Sequence, residues 1–252
     1  MEIKDNVAIV TGGNRGIGEG FVRELLNAGA QKVYVGSRDI DEATRLCDEL
    51  GSQTIAVQLD VTSEDDVVAA AAACGDVNIV INNAGVHHGH TLIGAPDLSI
   101  ARNEMDVNYF GVLSMTRSFA PVLASNGGGS ILNILSAAAI VAIPNMGGYS
   151  PSKFAARALT TSIRAELAEQ GTHVGCLIVG SVETRMSEHV QGNKESPAMI
   201  AKAGLKAIKA SISEMDTDAM SIGLRASLAR DPSSLERKMA ALLNSEQLNT
   251  GR

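Results

Sequence analysis

The chain has 252 residues, 45% apolar but only 3% aromatic, with no tryptophan and a net charge of −7. That length allows a sizeable core, and a core of Ala, Val, Ile and Leu suits sheet-and-helix layers rather than an all-β module. The acidic balance gives a nucleic-acid or anionic-membrane partner no electrostatic support. Cys47, Cys74 and Cys176 are odd in number and widely spaced, so they read as buried thiols in a reducing compartment. The opening apolar run is too short for a signal peptide, and no stretch elsewhere is long enough to span a bilayer. The expectation is a soluble, cytoplasmic protein.

In chain order, "VAIVTG" (7–12) predicts a strand and "IGEGFVRELLNAG" (17–29) a helix closed by glycine. A second strand at 32–37 precedes a helix at 41–51, and further strands follow at 54–61 and 77–85. The helix between these last two starts near Ser63, an N-cap followed by Glu64, Asp65 and Asp66, which complement the helix dipole. A long helix is expected over 101–124, strands over 130–136 and 172–180, and a helix over 150–169 between them. A short extended piece near 212–216 leads into two C-terminal helices over about 217–245. Continuous apolar strands joined by helices imply α/β architecture: one doubly wound parallel sheet, helices on both faces, right-handed connections. No linker, repeat or charge block divides the chain, so the expectation is one domain over 1–252, with substrate-binding loops and helices at about 180–212.

The turn "TGGNRGIG" (11–18) joins the first strand to the first helix. Gly12, Gly16 and Gly18 stand where a dinucleotide site needs a tight turn, close approach of a pyrophosphate and a helix seated on the sheet. The free N–H groups of that helix attract phosphate. NAD sites place an acid at the end of the second strand, but here Ser37 and Arg38 occupy that end and Arg15 lies in the glycine loop. Two guanidinium groups suit the 2′-phosphate of NADP. NAD is the lesser alternative, with Asp39 as its ligand after one step of register. An Arg38 merely paired with Asp39 or Asp41 is the plain structural alternative. Asp60, ending the third strand, either contacts the adenine side or caps a turn.

Only one of the three tyrosines has an amine one helical turn on: Tyr149 is followed by Lys153, whereas Tyr34 has Arg38 and Tyr109 has Leu113 at that offset. A phenol has an ordinary pKa near ~10 and is a sluggish acid or base at neutral pH. A neighbouring cation favours the phenolate and brings proton transfer into range. Ser136, at the end of its strand, is placed to hydrogen-bond the same substrate oxygen. Each piece also has a structural reading. Ser136 can cap the following loop, Asn108 can face solvent mid-helix, and "NNAG" (82–85) can be turn chemistry.

Taken together, "TGGNRGIG", "NNAG", Asn108, Ser136, Tyr149 and Lys153 occur in the order and spacing of the short-chain dehydrogenase/reductase family. The resemblance covers about residues 5–190. It implies a Rossmann-type fold and an NADP(H)-dependent carbonyl reductase or alcohol dehydrogenase, working as a homodimer or homotetramer. It implies that Ser136, Tyr149 and Lys153 form the catalytic triad, completed to a tetrad by Asn108, which would hold a water linking the lysine to solvent. The cofactor would be held by Gly12, Asn14, Arg15, Gly16, Ile17, Gly18, Ser37, Arg38, Asp60, Val61, Asn83, Ala84, Gly85, Tyr149, Lys153, Gly180, Val182, Thr184 and Met186. A β-ketoacyl-thioester or steroid-like ketone reductase is the neighbouring alternative. A regulatory protein that senses NADP without turnover is the rival from another class.

Two departures from the family stand out. Val179 replaces the proline of the usual Pro-Gly pair after the sixth strand, which puts the rigidity of Gly180, Val182 and Thr184 in question. The common C-terminal strand with Asp-Gly-Gly is absent, which puts the usual tetramer contacts in question. His87, Ala138, Val141, Ile143, Met146, His189 and Met199 are expected to flank the substrate pocket. Methionines make adaptable apolar walls, so the expected substrate is a fairly hydrophobic ketone or alcohol, although a stripe of core methionines is the plainer reading. His87, His88 and His90 lack a Cys or carboxylate at ligand spacing, so no metal site is expected.

Overall fold

The computed structural model describes residues 1–188 and 192–244. It contains β1 (Val7–Thr11), α1 (Gly16–Asn27), β2 (Lys32–Ser37), α2 (Ile40–Leu50), β3 (Thr54–Gln58), α3 (Glu64–Ala73) and β4 (Ile79–Asn82). Next come α4 (Ser99–Met105), a π-helical segment (Asp106–Phe110), α5 (Gly111–Ser125), β5 (Gly129–Ile134), α6 (Tyr149–Glu166) and β6 (Thr172–Ile178). The chain continues through α7 (Pro197–Lys209), β7 (Glu214–Asp216), α8 (Ala219–Arg230) and α9 (Pro232–Ala241). The strands form one seven-stranded sheet in the order β3-β2-β1-β4-β5-β6-β7, and every pairing is parallel.

Alternation along the strands sorts the core into two layers. Ala8 and Val10 of β1 face one layer with Val33, Val35, Leu132 and Leu177, packed under Phe21 and Leu25 of α1 and Ile200 and Leu205 of α7. Val7 and Ile9 face the other, with Val80, Ile131 and Val174, under Val67 of α3, Met115 and Phe119 of α5 and Ile163 of α6. Covering both faces is what lets parallel strands be apolar throughout. Strand order reverses between β1 and β4, and the crevice beyond their carboxyl ends is where such sheets bind ligands.

The strands stop short of their apolar patterns. β3 ends at Gln58, β4 at Asn82, β5 at Ile134 and β6 at Ile178; Asp60, Asn83, Ser136 and Gly180 leave the sheet and line the crevice. The expected long helix 101–124 is also corrected. It is three consecutive segments over 99–125, with the π turn carrying Asn108. A π turn accommodates one extra residue per turn, and such bulges recur at functional sites; here Asn108 is fully buried. The short C-terminal extended piece is a true seventh strand, paired in parallel with β6 over Glu214–Asp216.

Candidate active site

Beyond β1 the chain turns through Gly12 at φ +61° and Gly16 at φ +56°, left-handed values that a side chain disfavours. The turn is braced from β4. The Asn83 amide donates to the carbonyls of Thr11 and Gly12 at 3.0 and 3.1 Å, and the N–H groups of Asn83 and Ala84 donate to the Thr11 hydroxyl at 3.0 Å. Asn83 therefore shapes the glycine turn while it lines the cleft. Gly18, one of the expected cofactor residues, is outside the cleft wall and acts by packing: a Cβ there would collide with the Gly12 carbonyl. Arg15 precedes α1 without a capping side-chain bond, which leaves the first amides of that helix for an anion.

At the end of β2, the Ser37 hydroxyl accepts the Asp39 N–H at 3.0 Å, and Asp39 accepts the Glu42 N–H at 3.0 Å as N-cap of α2. The acid that rivals Arg38 is thus engaged in capping. Arg15 and Arg38 both line the cleft, and neither is among the salt bridges of the described residues. Asn14 donates to Glu42 at 2.6 Å. Asp60 caps a turn, accepting the Thr62 N–H and hydroxyl at 2.9 and 2.7 Å, while it and Val61 line the same wall.

The cleft, about 1080 Å³, runs from these residues to Ser136, Tyr149 and Lys153. Tyr149 opens α6 and Lys153 lies one turn on, 9% and 5% exposed. The Lys153 ammonium donates to the Ile134 carbonyl at 3.1 Å and sits 5.6 Å from the Tyr149 ring centre. Burial pushes this ammonium down to about 8, because a low-dielectric site disfavours the charged form. Burial likewise raises the Tyr149 phenol; a hydrogen bond with Ser136 works against that, and the Glu104 charge adds to it. Ser136 also accepts the Ala138 N–H at 3.1 Å, so it caps the following turn while it lines the cleft.

Asn108 does not face solvent. Its amide accepts the Val86 N–H and donates to the Val86 carbonyl and the Ser152 hydroxyl, each at 3.0 Å. It ties the loop after β4 to α6, the helix that carries Tyr149 and Lys153.

A family model described as short chain dehydrogenase matches residues 6–195. The chain belongs to that family. "Dehydrogenase/reductase SDR family member 7B" of Danio rerio is 32% identical over 198 residues, which cover 73% of this chain but only 63% of that relative, under two thirds of its length. Among solved structures, a short chain dehydrogenase from Burkholderia cenocepacia J2315 in complex with NADP superposes with a TM-score of 0.89. It is 38% identical, covering 95% of this chain and 99% of that one. The 3-ketoacyl-(acyl-carrier-protein) reductase of Brucella melitensis, complexed with NADH, gives a TM-score of 0.79 at 29% identity, covering 86% and 98%.

Where Val179 replaces the expected proline, the following loop is held by side-chain hydrogen bonds instead. The Gly180 N–H donates to Asp218 at 2.7 Å; Asp218 also accepts the Thr217 hydroxyl at 2.8 Å and the Ser221 N–H at 2.9 Å. The loop after β6 is thereby fastened to the start of α8, and a Cβ on Gly180 would strike the Asp218 carboxylate. Asp218 was not singled out from the sequence. Its D-x-x-S capping box (218–221) was the available signal. Gly180, Val182, Thr184 and Met186 line the cleft as expected, beside Ala84 and Gly85.

The apolar wall differs from expectation. Of the residues expected to flank the substrate pocket, His87, Ala138, Val141, Ile143 and Met146 are outside the cleft wall: Ala138 and Ile143 form a buried cluster with Tyr149, Met146 packs against it, and Val141 lies in the neighbouring core. Met239 of α9 and Leu242 also pack there, so the C-terminal helices back the site, a role the sequence reading missed. Met199 is a correction: α7 turns Ile200, Ala201 and Leu205 to the core, leaving Met199 55% exposed and outside the cleft wall. His189 lies outside the described residues. His87 sits with its ring 5.0 Å from that of Tyr149. The three cysteines are buried and free, and burial pushes Cys74 and Cys176 up to about 12. Among the described residues no helix is long and apolar enough to cross a membrane.

Proposed function

We propose that this short-chain dehydrogenase is an NADP(H)-dependent oxidoreductase that interconverts a ketone or aldehyde with an alcohol, with Tyr149 as the acid/base. The observation that carries the reading is one continuous cleft holding the glycine turn at one end and buried Tyr149, Lys153 and Ser136 at the other. The residues fit a dinucleotide. The left-handed turn, the uncapped α1 amides and the Arg15 and Arg38 guanidiniums suit the pyrophosphate and a 2′-phosphate. The NADP-bound Burkholderia structure supports this choice.

When bound, the cofactor supplies or accepts the hydride. Ser136 orients the substrate oxygen, and Tyr149 donates its phenolic proton to that oxygen in reduction or takes it back in oxidation. Lys153 binds the nicotinamide ribose and lends positive charge to the phenolate as it forms. Asn108 keeps α6 in register with the loop of Val86. Ala138 and Ile143, buried beside Tyr149 with Met146 packed against them, make the surroundings of the phenol apolar, which favours a hydrophobic substrate.

Absorbance at the nicotinamide band with a panel of apolar ketones tests this. Tyr149-dependent oxidation of NADPH is the expected result. Tight NADPH binding with no turnover across the panel would favour the sensing reading instead.

A further inference from the structure

Glu104, on α4, is 1% exposed, and a buried acid needs partners to be tolerated. One oxygen accepts the His88 backbone N–H at 2.9 Å. The other has no hydrogen-bond partner among the described residues. It points at the N-terminus of α6: a Cβ on Gly148, the residue before that helix, would lie 2.7 Å from it. Gly147 makes the same kind of room, since a Cβ there would collide with the His90 carbonyl. The glycine pair before Tyr149 thus lets α4 and the histidine loop close onto the helix end, where a negative charge is favoured.

The loop is held on both sides of His87. Val86 is bonded through its N–H and carbonyl to Asn108, and His88 through its N–H to Glu104 and its ring to Asn103 at 2.8 Å. Between these ties the His87 ring meets the Tyr149 ring at 5.0 Å and 57°.

We propose that Glu104 is a positioning residue for the proton transfer: it clamps the histidine loop onto the start of α6, seats His87 against Tyr149, and places a buried carboxylate at the helix turn that carries the phenol. This rests on reading Tyr149 as the acid. The groups around that phenol are Lys153 on its own helix, His87 from the β4 loop and Ser136 from the β5 loop, with the Glu104 carboxylate of α4 behind the helix start at Gly148. The burial and the Glu104 charge both act to keep it protonated, against Ser136.

The chain has no tryptophan and three tyrosines, so phenolate absorbance isolates Tyr149 as the difference between the parent and Tyr149→Phe. In Glu104→Gln, which keeps an acceptor oxygen for His88, the Tyr149 midpoint should fall by about one pH unit. The acid limb of alcohol oxidation should move the same way. Glu104→Asp retains the charge, so its midpoint should stay near the parent value. An unmoved midpoint in folded, NADPH-binding Glu104→Gln would overturn the role of Glu104. So would an equal drop in Glu104→Asp, because packing rather than charge would then be the cause. Full turnover in Tyr149→Phe would instead overturn the acid/base reading, and this proposal with it.

Discussion

At Tyr34 the Lys32 ammonium lies 3.2 Å from the phenol oxygen and 2.6 Å from the Asp76 carboxylate, which in turn accepts the phenol at 2.9 Å. At Tyr149 the molecule again sets an ammonium near a phenol, with Lys153 5.6 Å from the ring centre and the Glu104 carboxylate at the start of the same helix. The first cluster is paired and wet: Lys32 and Asp76 are 30% and 46% exposed. The Asp76 bond raises Lys32, and for Asp76 the bonds from Lys32 and Tyr34 outweigh the upward push of burial. The second is dry, with burial alone pushing Lys153 down to about 8. In the first cluster the ammonium is already paired with a carboxylate. Burial without an ion pair leaves the cation to act on a ligand.

The largest expected effect breaks the buried cluster. Tyr149→Phe should keep its fold and NADPH affinity yet lower turnover about a thousandfold, the scale of a lost general acid. Lys153→Met should be harsher, because it removes the ribose contact and the charge together, so both KM for NADPH and kcat suffer. Steady-state kinetics beside NADPH titrations check both, and a parent-like rate in Tyr149→Phe would erase the contrast with Tyr34.

Arg38 extends the comparison to the other end of the cleft, being a cation without an ion pair among the described residues where Lys32 has one. Arg38→Ala should weaken NADPH binding about 30-fold, the loss of a charge-assisted phosphate contact, and NADH binding by little. Lys32→Ala should change neither. Equal losses for both cofactors in Arg38→Ala would move attention to Asp39.

What was legible in the sequence follows the same division. The glycine turn, the end of β2 and the Tyr149–Lys153 pair are encoded at short offsets, where a strand-to-turn change or one helical turn places the side chains. Asp218 meets Gly180 from 38 residues away, and Glu104 meets His88 from 16. Neither partner carries a local signal of the other. The π turn around Asn108 has no compositional signature, so the helix there read as regular. The apolar pattern runs past the strand ends because Leu59, Val61 and Leu135 extend it, while Asp60, Asn83 and Ser136 already bend into the cleft. Met199 misled because an exposed and a buried face of α7 differ by only one residue.

A subtler effect concerns ligand-free stability. Lys153 falls from an ordinary 10.5 to about 8 in the folded chain, so between those pH values the unfolded state binds more protons and stability from this group rises with pH. The parent should gain on Lys153→Met across that window, by on the order of 2 kcal/mol. Urea melts of both proteins at pH 7.5 and 10.5 (about the ends of the window) measure it. A constant difference would mean that Lys153 is not desolvated.

The smallest effect is expected at the control tyrosine. Tyr34→Phe removes a hydroxyl that bonds Asp76 and Lys32, but the Lys32–Asp76 pair remains and the freed carboxylate oxygen belongs to a side chain 46% exposed. Water replaces the lost bond, so the cost should be about 0.5–1 kcal/mol, or roughly 1–4 °C in Tm for a chain of this size. The ring keeps its place in the layer beneath α3, beside Val67 and Ala70. Turnover and NADPH affinity should be unchanged, because Tyr34 is outside the cleft wall. Thermal melts and kinetics on the one variant decide it. If Tyr34→Phe instead slowed turnover as Tyr149→Phe does, burial and the missing ion pair would not be what separates the two tyrosines.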